Sequence, residues 1–529
     1  MPLERDEGEY AYAGQLFLHG VPPGQLAYTM KLPGTHAAYA MLMLLFGQTC
    51  AGVHTGFLVV NCATIVILYL FARSLAGEIA GCVAAATSAV MSLSGDVLGT
   101  AAHATHFVVM TALGGLLLLL QASKTGKLFA YFASGFLLST SVLMKHNGLL
   151  FFAFGAFWGA WLGYSKMLGP NVTLLKAGSA FLLGAVAPFL FLLLLLWLAG
   201  TLKTCWFWSV AYARAYARPN PGIMIVQRML MQRMPQIITI PFYASLLGLS
   251  VLWLTRIFQM PVKSPSAISG LGRSSWPIAP FATGLFLCSL FAVVPGLHFR
   301  PHYFVVLIPV LALLTGTLVQ EATDLLRRSQ FKWLGPIPVL VFALFFAKAL
   351  AREQNLFFHM TPIEACRSLY GYQPFPEAII LGDYIRAHSS PDARIAVLGS
   401  EPEIYFYSHR HSATGYLYTY ALTEHQPFAS QMQRDMAHEI ETAQPEFIIH
   451  IRNWTSWLSR PGGLNRIDQL CESLTPPHYK LVGTCDVFPD QSRVEWNWHP
   501  HLSEDVTNSS KQLLLFERER LASDAPTAE

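Results

Sequence analysis

Charge is what this sequence has least of. Only 12% of its 529 residues are Asp, Glu, Lys or Arg, while 53% are hydrophobic; a soluble domain carries roughly 25% charged residues. With a mean hydropathy of +0.41, that deficit points to a membrane protein. The net charge is +4, and the basic residues are scattered. No basic block exists to hold a nucleic acid, which excludes that class of partner. Cysteine is scarce as well: eight in the whole chain make no disulfide framework. Cys50, Cys62, Cys82, Cys205 and Cys288 lie in or beside apolar segments and read as small core hydrophobes. Cys471 and Cys485 stand in a polar tail and are able to pair if that tail lies outside the cytoplasm. No cleavable signal peptide is visible at the N-terminus, and no internal repeat is visible.

Long apolar runs are abundant. A membrane span takes about 20 mostly apolar residues, and about ten segments qualify: 53–73, 79–94, 107–122, 128–144, 149–165, 173–199, 236–255, 277–297, 303–320 and 333–351. The stretch 36–47 is too short to cross and is expected to lie along the interface. Alternate connections carry Arg73; Lys124 and Lys127; Lys166; Arg256, Lys263 and Arg273; and Arg327, Arg328 and Lys332. These short basic loops read as cytoplasmic. The opposite side then receives the N-terminal segment, 95–106, 145–148, 200–235, 298–302 and everything after 351. Lys31, Arg214, Arg218 and Arg300 also fall there, so the charge asymmetry is modest. The polar, motif-like stretches nevertheless all share that side.

From about 352 the chain changes character. "ARIAVLGS" (393–400), "EFIIHIR" (446–452) and "YKLVGTC" (479–485) read as strands. Residues 376–390 and 429–443 read as amphipathic helices. The predicted architecture is an α-helical polytopic membrane protein with a C-terminal soluble α/β domain. Its parts are an acidic first loop with interfacial helices at 1–50, a membrane domain at 51–351, the soluble domain at 352–515 and a disordered tail at 516–529.

The polar stretches carry the chemistry. "ERDEGEYAYAG" (4–14) crowds Glu4, Asp6, Glu7 and Glu9 together. On a helix Asp6 and Tyr10 share a face, and His19-Gly20 ends that helix. Crowded carboxylates beside a membrane suit a general base; a solvated acidic helix is the plainer reading. The loop 21–34 presents Lys31 ahead of a Pro-Gly bend. "SGDVLGTAAHATHF" (94–107) offers Asp96, His103 and His106. The two histidines, at i and i+3, are placed to chelate, but no third ligand is secure, and a polar interfacial loop accounts for them equally. "LMKHNG" (143–148) puts Lys145 and His146 at a span's outer end, where a lysine also snorkels. "WFWSVAYARAYARPNPG" (206–222) brackets Arg214 between Tyr212 and Tyr216, as an interfacial aromatic belt also would. "HFRPHYF" (298–304) sets Arg300, His302 and Tyr303 between two spans; Arg suits phosphate, and also a lipid headgroup. Taken together, carboxylates, histidines and cations converge on one membrane face. That layout fits a substrate with a lipid tail and a phosphate-linked head: cations hold the departing phosphate and a carboxylate deprotonates an acceptor hydroxyl.

The order of these motifs resembles that of the GT-C membrane glycosyltransferases that use polyprenyl-phosphate sugars. These include the protein O-mannosyltransferases (glycosyltransferase family 39), the aminoarabinose transferase of lipid A and the RgtA/B/C/D-like bacterial enzymes. "RDEGEYAYAG" looks like the family's first-loop Asp-Glu motif and "MKLPG" like its following Lys-Pro segment. The 95–106 loop, "LMKHNG" and "RPHYF" come in the expected order. The resemblance covers about residues 4–320, and "LGSEPEIYFYSHRHSATGY" (398–416) looks like the soluble domain that ends a bacterial subset. It implies an inverting transfer from a polyprenyl-phosphate sugar to a lipid, polysaccharide or protein of the cell envelope, lipopolysaccharide included. The setting is the outer face of a bacterial plasma membrane. Asp6 would be the base with Glu7 beside it. Lys31, Arg300, His302, Tyr303 and Lys145 would serve the donor phosphate, and Tyr10, Asp96, His103, His106, Tyr212 and Arg214 would line the cavity. The sequence requires no cofactor and assigns no metal ligands; a divalent ion is compatible with it. Two departures stand out. The family has a span before the acidic loop, so the resemblance predicts one upstream of Met1. Thr105 also stands where the family usually has Glu, leaving Asp96 or the histidines as alternatives. A transporter or flippase of lipid-linked sugars is the other reading, but it calls for broken helices and polar groups near mid-bilayer.

Overall fold

The computed structural model describes residues 1–216, 227–233, 239–257, 276–424, 426–458, 479–488, 493–499 and 513–519. Helix α1 (Arg5–Leu18) opens with a capping box: the Glu4 carboxylate accepts from the Glu7 amide at 3.0 Å, and the Glu7 carboxylate accepts from the Glu4 amide at 3.2 Å. Two orphan amides of the first turn are thereby satisfied, and the acidic groups face the positive end of the helix dipole. Gly20, with φ of +76°, lies just past the C-cap residue His19. Helix α2 (Gly34–Phe46) starts at Gly34, where a helix rather than a free bend follows Pro33.

The apolar segments then fold as α3 (Cys50–Ala76), α4 (Glu78–Met91), α5 (Ala104–Thr125), α6 (Leu128–Met144), α7 (Gly148–Tyr164) and α8 (Leu174–Leu198), followed by Ile240–Ile257, Ile278–Val293, Ile308–Arg328 and Ile337–Gln354. Each expected span contains a helix, but only six of the described helices are long and apolar enough to cross by themselves. Helices α4, α6, α7 and Ile278–Val293 are shorter. The chain is a multi-pass membrane protein. The exposed leucines of α8 (Leu190, Leu193, Leu194, Leu195, Leu198) and Leu340, Leu344 and Phe345 of the last helix make faces that water would penalise and acyl chains do not. By contrast, α5 and the segment Pro301–Arg328 are largely buried inside the bundle.

Beyond the bundle stands a mixed sheet: β1 (Arg394–Leu398), β2 (His411–Ser412), β3 (Phe447–Ile451), β4 (Tyr479–Val487), β5 (Val494–Trp498) and β6 (Leu513–Arg518). Its order is β2-β1-β3-β6-β4-β5. The β2, β1 and β3 strands run parallel, with Val397 opposite Ile449, and the rest pair antiparallel. The helices Phe375–His388 and Ala429–Ala443 occupy the expected ranges. β6 corrects one boundary: it runs to Arg518, into the stretch expected to be disordered, and residues 520–529 lie outside the described ones. Cys485 is a buried free thiol in β4, and Cys471 lies outside the described residues.

The sheet domain docks on α1. Gly8 meets the helix Glu403–Ser408 so closely that a Cβ would lie 2.5 Å from the Glu403 nitrogen. Arg5 donates to the Ser400 carbonyl at 2.5 Å and to Glu401 at 2.7 Å. The Tyr28 amide donates to the Gly415 carbonyl at 2.6 Å. One hydrophobic core therefore contains Tyr10 and Leu16 of α1, Phe57 of α3, Phe107 of α5 and Ile395, Val397 and Phe447 of the sheet.

Candidate functional site

A cavity of about 670 Å³ lies where α1, the 28–33 loop, the end of α6, the 205–216 segment, the 295–303 connection and the sheet domain meet. Asp6 and Glu9 line it, three positions apart on α1, together with Lys31, Lys145, Arg214 and Arg300. Lys31 Nζ is 3.1 Å from Asp6 Oδ1 and 2.6 Å from Glu9 Oε2, and it sits 4.3 Å from the centre of the Tyr10 ring. Thr29 donates its hydroxyl to the other Glu9 oxygen, and His36 Nε2 stands 3.6 Å away. Burial pushes the Glu9 carboxyl up, but Lys31 and His36 outweigh it and hold it at about 2.

Asp6 is the better placed acid. Its Oδ1 receives Lys31 and, at 3.0 Å, the hydroxyl of Tyr418. Its Oδ2 faces His302 Nε2 at 3.6 Å and His103 Nδ1 at 3.9 Å. Burial raises this carboxyl, yet Lys31, His302, His103 and Arg300 together keep it well below the usual carboxylate range. Lys31 in turn stays protonated: burial opposes its charge, and Asp6 and Glu9 restore it. A lone buried carboxylate would neutralise itself; here opposite charges within 4 Å prevent that.

Lys145, at the end of α6, has no carboxylate at hydrogen-bond distance among the described residues. Its ammonium lies 4.1 Å over the Tyr303 ring. Burial lowers it, Lys31 and Arg300 add repulsion, Asp6 offsets part of this, and the group falls to about 7. The rings of His103 and His302 stack at 4.1 Å with 17° between planes. Asp6, His103 and His302 offer three ligand atoms that all lie within 4.8 Å of one another.

Several sequence expectations are corrected here. Glu7 does not reach the cavity. It is fully buried and accepts from the Ala102 amide at 2.7 Å and from His54 at 3.0 Å, in addition to capping α1. Asp96 points elsewhere and pairs with Arg352 at 2.7 Å. His106 turns from His103 toward Phe57, with ring centroids 4.8 Å apart; the pair does not chelate, and His302 takes its place beside His103. Tyr10 lies beneath Lys31 and is buried, not exposed in the cavity. Tyr212, Arg214, Arg300, His302 and Tyr303 do line it, and Tyr212 donates to Glu424 at 3.3 Å. Arg218 lies outside the described residues.

Three cavity tyrosines, Tyr416, Tyr418 and Tyr420, come from the sheet domain and were not foreseen. Nothing local marks Tyr418, because its partner Asp6 is 412 positions away. Glu9 was legible: at i+3 from Asp6 it shares that helix face.

No protein-family model and no curated protein sequence matches the chain. Among solved structures, ArnT from Cupriavidus metallidurans bound to undecaprenyl phosphate is similar at 13% identity, with a TM-score of 0.52 over 97% of this chain and 94% of that one. The oligosaccharyltransferase AglB from Archaeoglobus fulgidus, complexed with an inhibitory peptide and a dolichol-phosphate, aligns at 12% identity and a TM-score of 0.49 over 94% and 70%. The same archaeal enzyme complexed with Zn and sulfate aligns at 11% and 0.47 over 94% and 69%. The chain shares the fold of that ArnT structure, a GT-C-like fold.

Proposed function

We propose that this protein is an inverting glycosyltransferase that moves a sugar from a polyprenyl-phosphate donor to a hydroxyl of an envelope lipid, glycan or protein. The reaction would take place at the outer face of a bacterial plasma membrane. One observation carries the reading. An ionised carboxylate, Asp6, faces a cavity that also holds Lys145 and Arg300 and opens along an apolar wall of Phe189, Leu192, Leu193 and Leu196 on α8. The wall suits a lipid tail, the cations suit the phosphate and Asp6 suits the acceptor. The ArnT structure of similar fold contains undecaprenyl phosphate, which supports that choice of donor.

In the reaction, Asp6 takes the proton of the acceptor hydroxyl as its oxygen bonds the anomeric carbon. The bond from that carbon to the phosphate oxygen breaks, and the phosphate leaves with the electron pair. The transition state resembles an oxocarbenium ion, as in glycoside hydrolysis. The developing negative charge on the phosphate falls among Arg300, Lys145 and Arg214, so no separate acid is needed. Lys31 and the Tyr418 hydroxyl hold Asp6 in place and keep it ionised.

A second reading concerns a metal. Both His103 ring nitrogens are buried with no hydrogen-bond partner among the described residues, and Asp6 and His302 complete a triad. These side chains fit a divalent ion, which would supply positive charge beside the phosphate. Metal analysis of purified protein, with activity before and after chelation, tests it; metal-free protein with full activity rejects it.

The main test is mass spectrometry of lipid-linked and envelope glycans in cells with and without the gene. One sugar should disappear from an acceptor and accumulate on polyprenyl phosphate. Restoration of that sugar by the Asp6→Asn variant, at wild-type protein level, would sink the assignment.

A further inference from the structure

The membrane wall of the cavity is built without acids. From Val97 to Gln320 the sequence contains no Asp or Glu, yet it supplies Lys145, Arg214 and Arg300 to the cavity. Negative charge therefore enters only from the first helix and the sheet domain. Among the described residues that line the cavity, the acids are two, Asp6 and Glu9, against four cations.

Glu9 is fully committed, and Asp6 keeps only Oδ2, the oxygen that takes the acceptor's proton in the reading above. Glu9 spends one oxygen on Lys31 and the other on Thr29. Asp6 spends Oδ1 on Lys31 and Tyr418, and its Oδ2 faces the His302 and His103 rings. Lys31 thus bridges both carboxylates, and its three-residue cluster carries one net negative charge. Lys145, Arg214 and Arg300 stand against it. A phosphodiester donor brings about one negative charge, which those cations absorb. The remaining polar groups are hydroxyls, such as those of Tyr216, Tyr303, Tyr416 and Ser209, with the Asn147 amide and the His146 ring; none of them is a carboxylate. Such groups hydrogen-bond sugar hydroxyls well. They do not neutralise an ammonium, whose desolvation needs a carboxylate.

We infer that the glycosyl group this cavity accepts carries no positive charge: the donor is a neutral or acidic sugar and not an amino sugar with a free amine. This rests on the lipid-phosphate-sugar reading above and narrows its substrate class. Like charge brought into a partly desolvated site is penalised, whereas an uncharged hydroxyl in the same place is not.

The test uses the full chain in nanodiscs and three synthetic ligands: the polyprenyl phosphate alone, and two polyprenyl-phosphate hexoses that differ only in a hydroxyl or an amine at one ring carbon. The amine donor should bind about tenfold more weakly than the hydroxyl donor. That ratio should shrink when the pH is raised above the amine's own pKa, and again in Arg214→Gln, which removes one cation from the wall. Equal or tighter binding of the amine donor overturns the inference and leaves the glycosyltransferase reading intact. A ratio that ignores both pH and Arg214→Gln overturns it as well, because shape would then be the discriminator. Failure of the bare polyprenyl phosphate to bind removes the lipid-donor reading, and this inference with it.

Discussion

The acidic first helix and the loop 94–107 invite comparison. Both are polar, and both offer an aspartate and neighbours suited to catalysis. Their fates differ. Asp6 is enclosed by Lys31, Tyr418, His302 and His103, whereas Asp96 makes a bridge to Arg352, whose side chain is 61% exposed. What separates them is the sheet domain. It covers α1 and walls the cavity with Tyr416, Tyr418 and Tyr420, so charge there acts in a low dielectric. At Asp96, solvent screens whatever the pair could do. Only His103 of the second stretch crosses from one environment to the other.

The comparison can be broken most directly at Asp6. Asp6→Asn should lower sugar transfer by about a thousandfold, the middle-to-upper range for a general base, with unchanged protein yield; steady-state transfer assays in proteoliposomes decide it. Lys31→Met comes next. It strands the Asp6 and Glu9 charges in a buried site, which costs about 3–5 kcal/mol for a broken buried pair. The expected result is loss of activity together with a lower melting temperature, and Glu9→Gln added to Lys31→Met should recover part of the melting temperature but not the activity.

Tyr418→Phe sharpens the role of the sheet domain. It keeps the ring beside Tyr420 and removes only the hydroxyl at Asp6. A hydrogen bond to a charged group is worth about 1.5–3 kcal/mol, so kcat should fall roughly ten- to a hundredfold while the circular dichroism and melting curve hold. A smaller effect follows from Lys145. Its folded value of about 7 lies below the ordinary lysine value, so the ammonium is present below pH 7 and lost as the pH rises through it. Affinity for polyprenyl phosphate should therefore fall, roughly tenfold at most per pH unit, above neutrality, and this dependence should flatten in Lys145→Gln. The smallest change is expected from Asp96→Asn: within about twofold in rate, as for an exposed ion pair worth about 0–1 kcal/mol. A large loss there would erase the contrast between the two regions.

Much of the chain was legible before any coordinates. Apolar length marks each helix of the bundle, and strand-like alternation marks β1, β3 and the start of β4. His19-Gly20 marks the end of α1. The edge strand β2, with two residues, leaves no pattern; β5 (VEWNW) alternates and β6 (LLLFER) starts as an apolar run, but each is short and set between polar stretches. In the site, Asp6, Lys31, Lys145, Arg214, Arg300 and His302 could be named from residue type and their place at the ends of apolar runs. Glu7 misled because it is adjacent to Asp6, and adjacent positions on a helix point about 100° apart. One reaches the cavity and the other caps the helix and binds Ala102. His106 misled in a similar way, since spacing on one helix says nothing of a ring from another segment, and His302 supplied that ring.

The sequence by itself determined that the protein crosses a membrane, that an α/β domain follows the bundle and that its polar chemistry gathers at one end, because hydrophobic length and periodicity are local properties. Only the tertiary structure decided which carboxylates face the cavity, that Lys31 ties Asp6 to Glu9, that His103 meets His302 and that Tyr418 reaches Asp6 across 412 positions. Those contacts depend on how the sheet domain seats on α1. That docking is set by a shared apolar core and by close backbone approaches such as Gly8 against Glu403, and no single stretch of sequence records it.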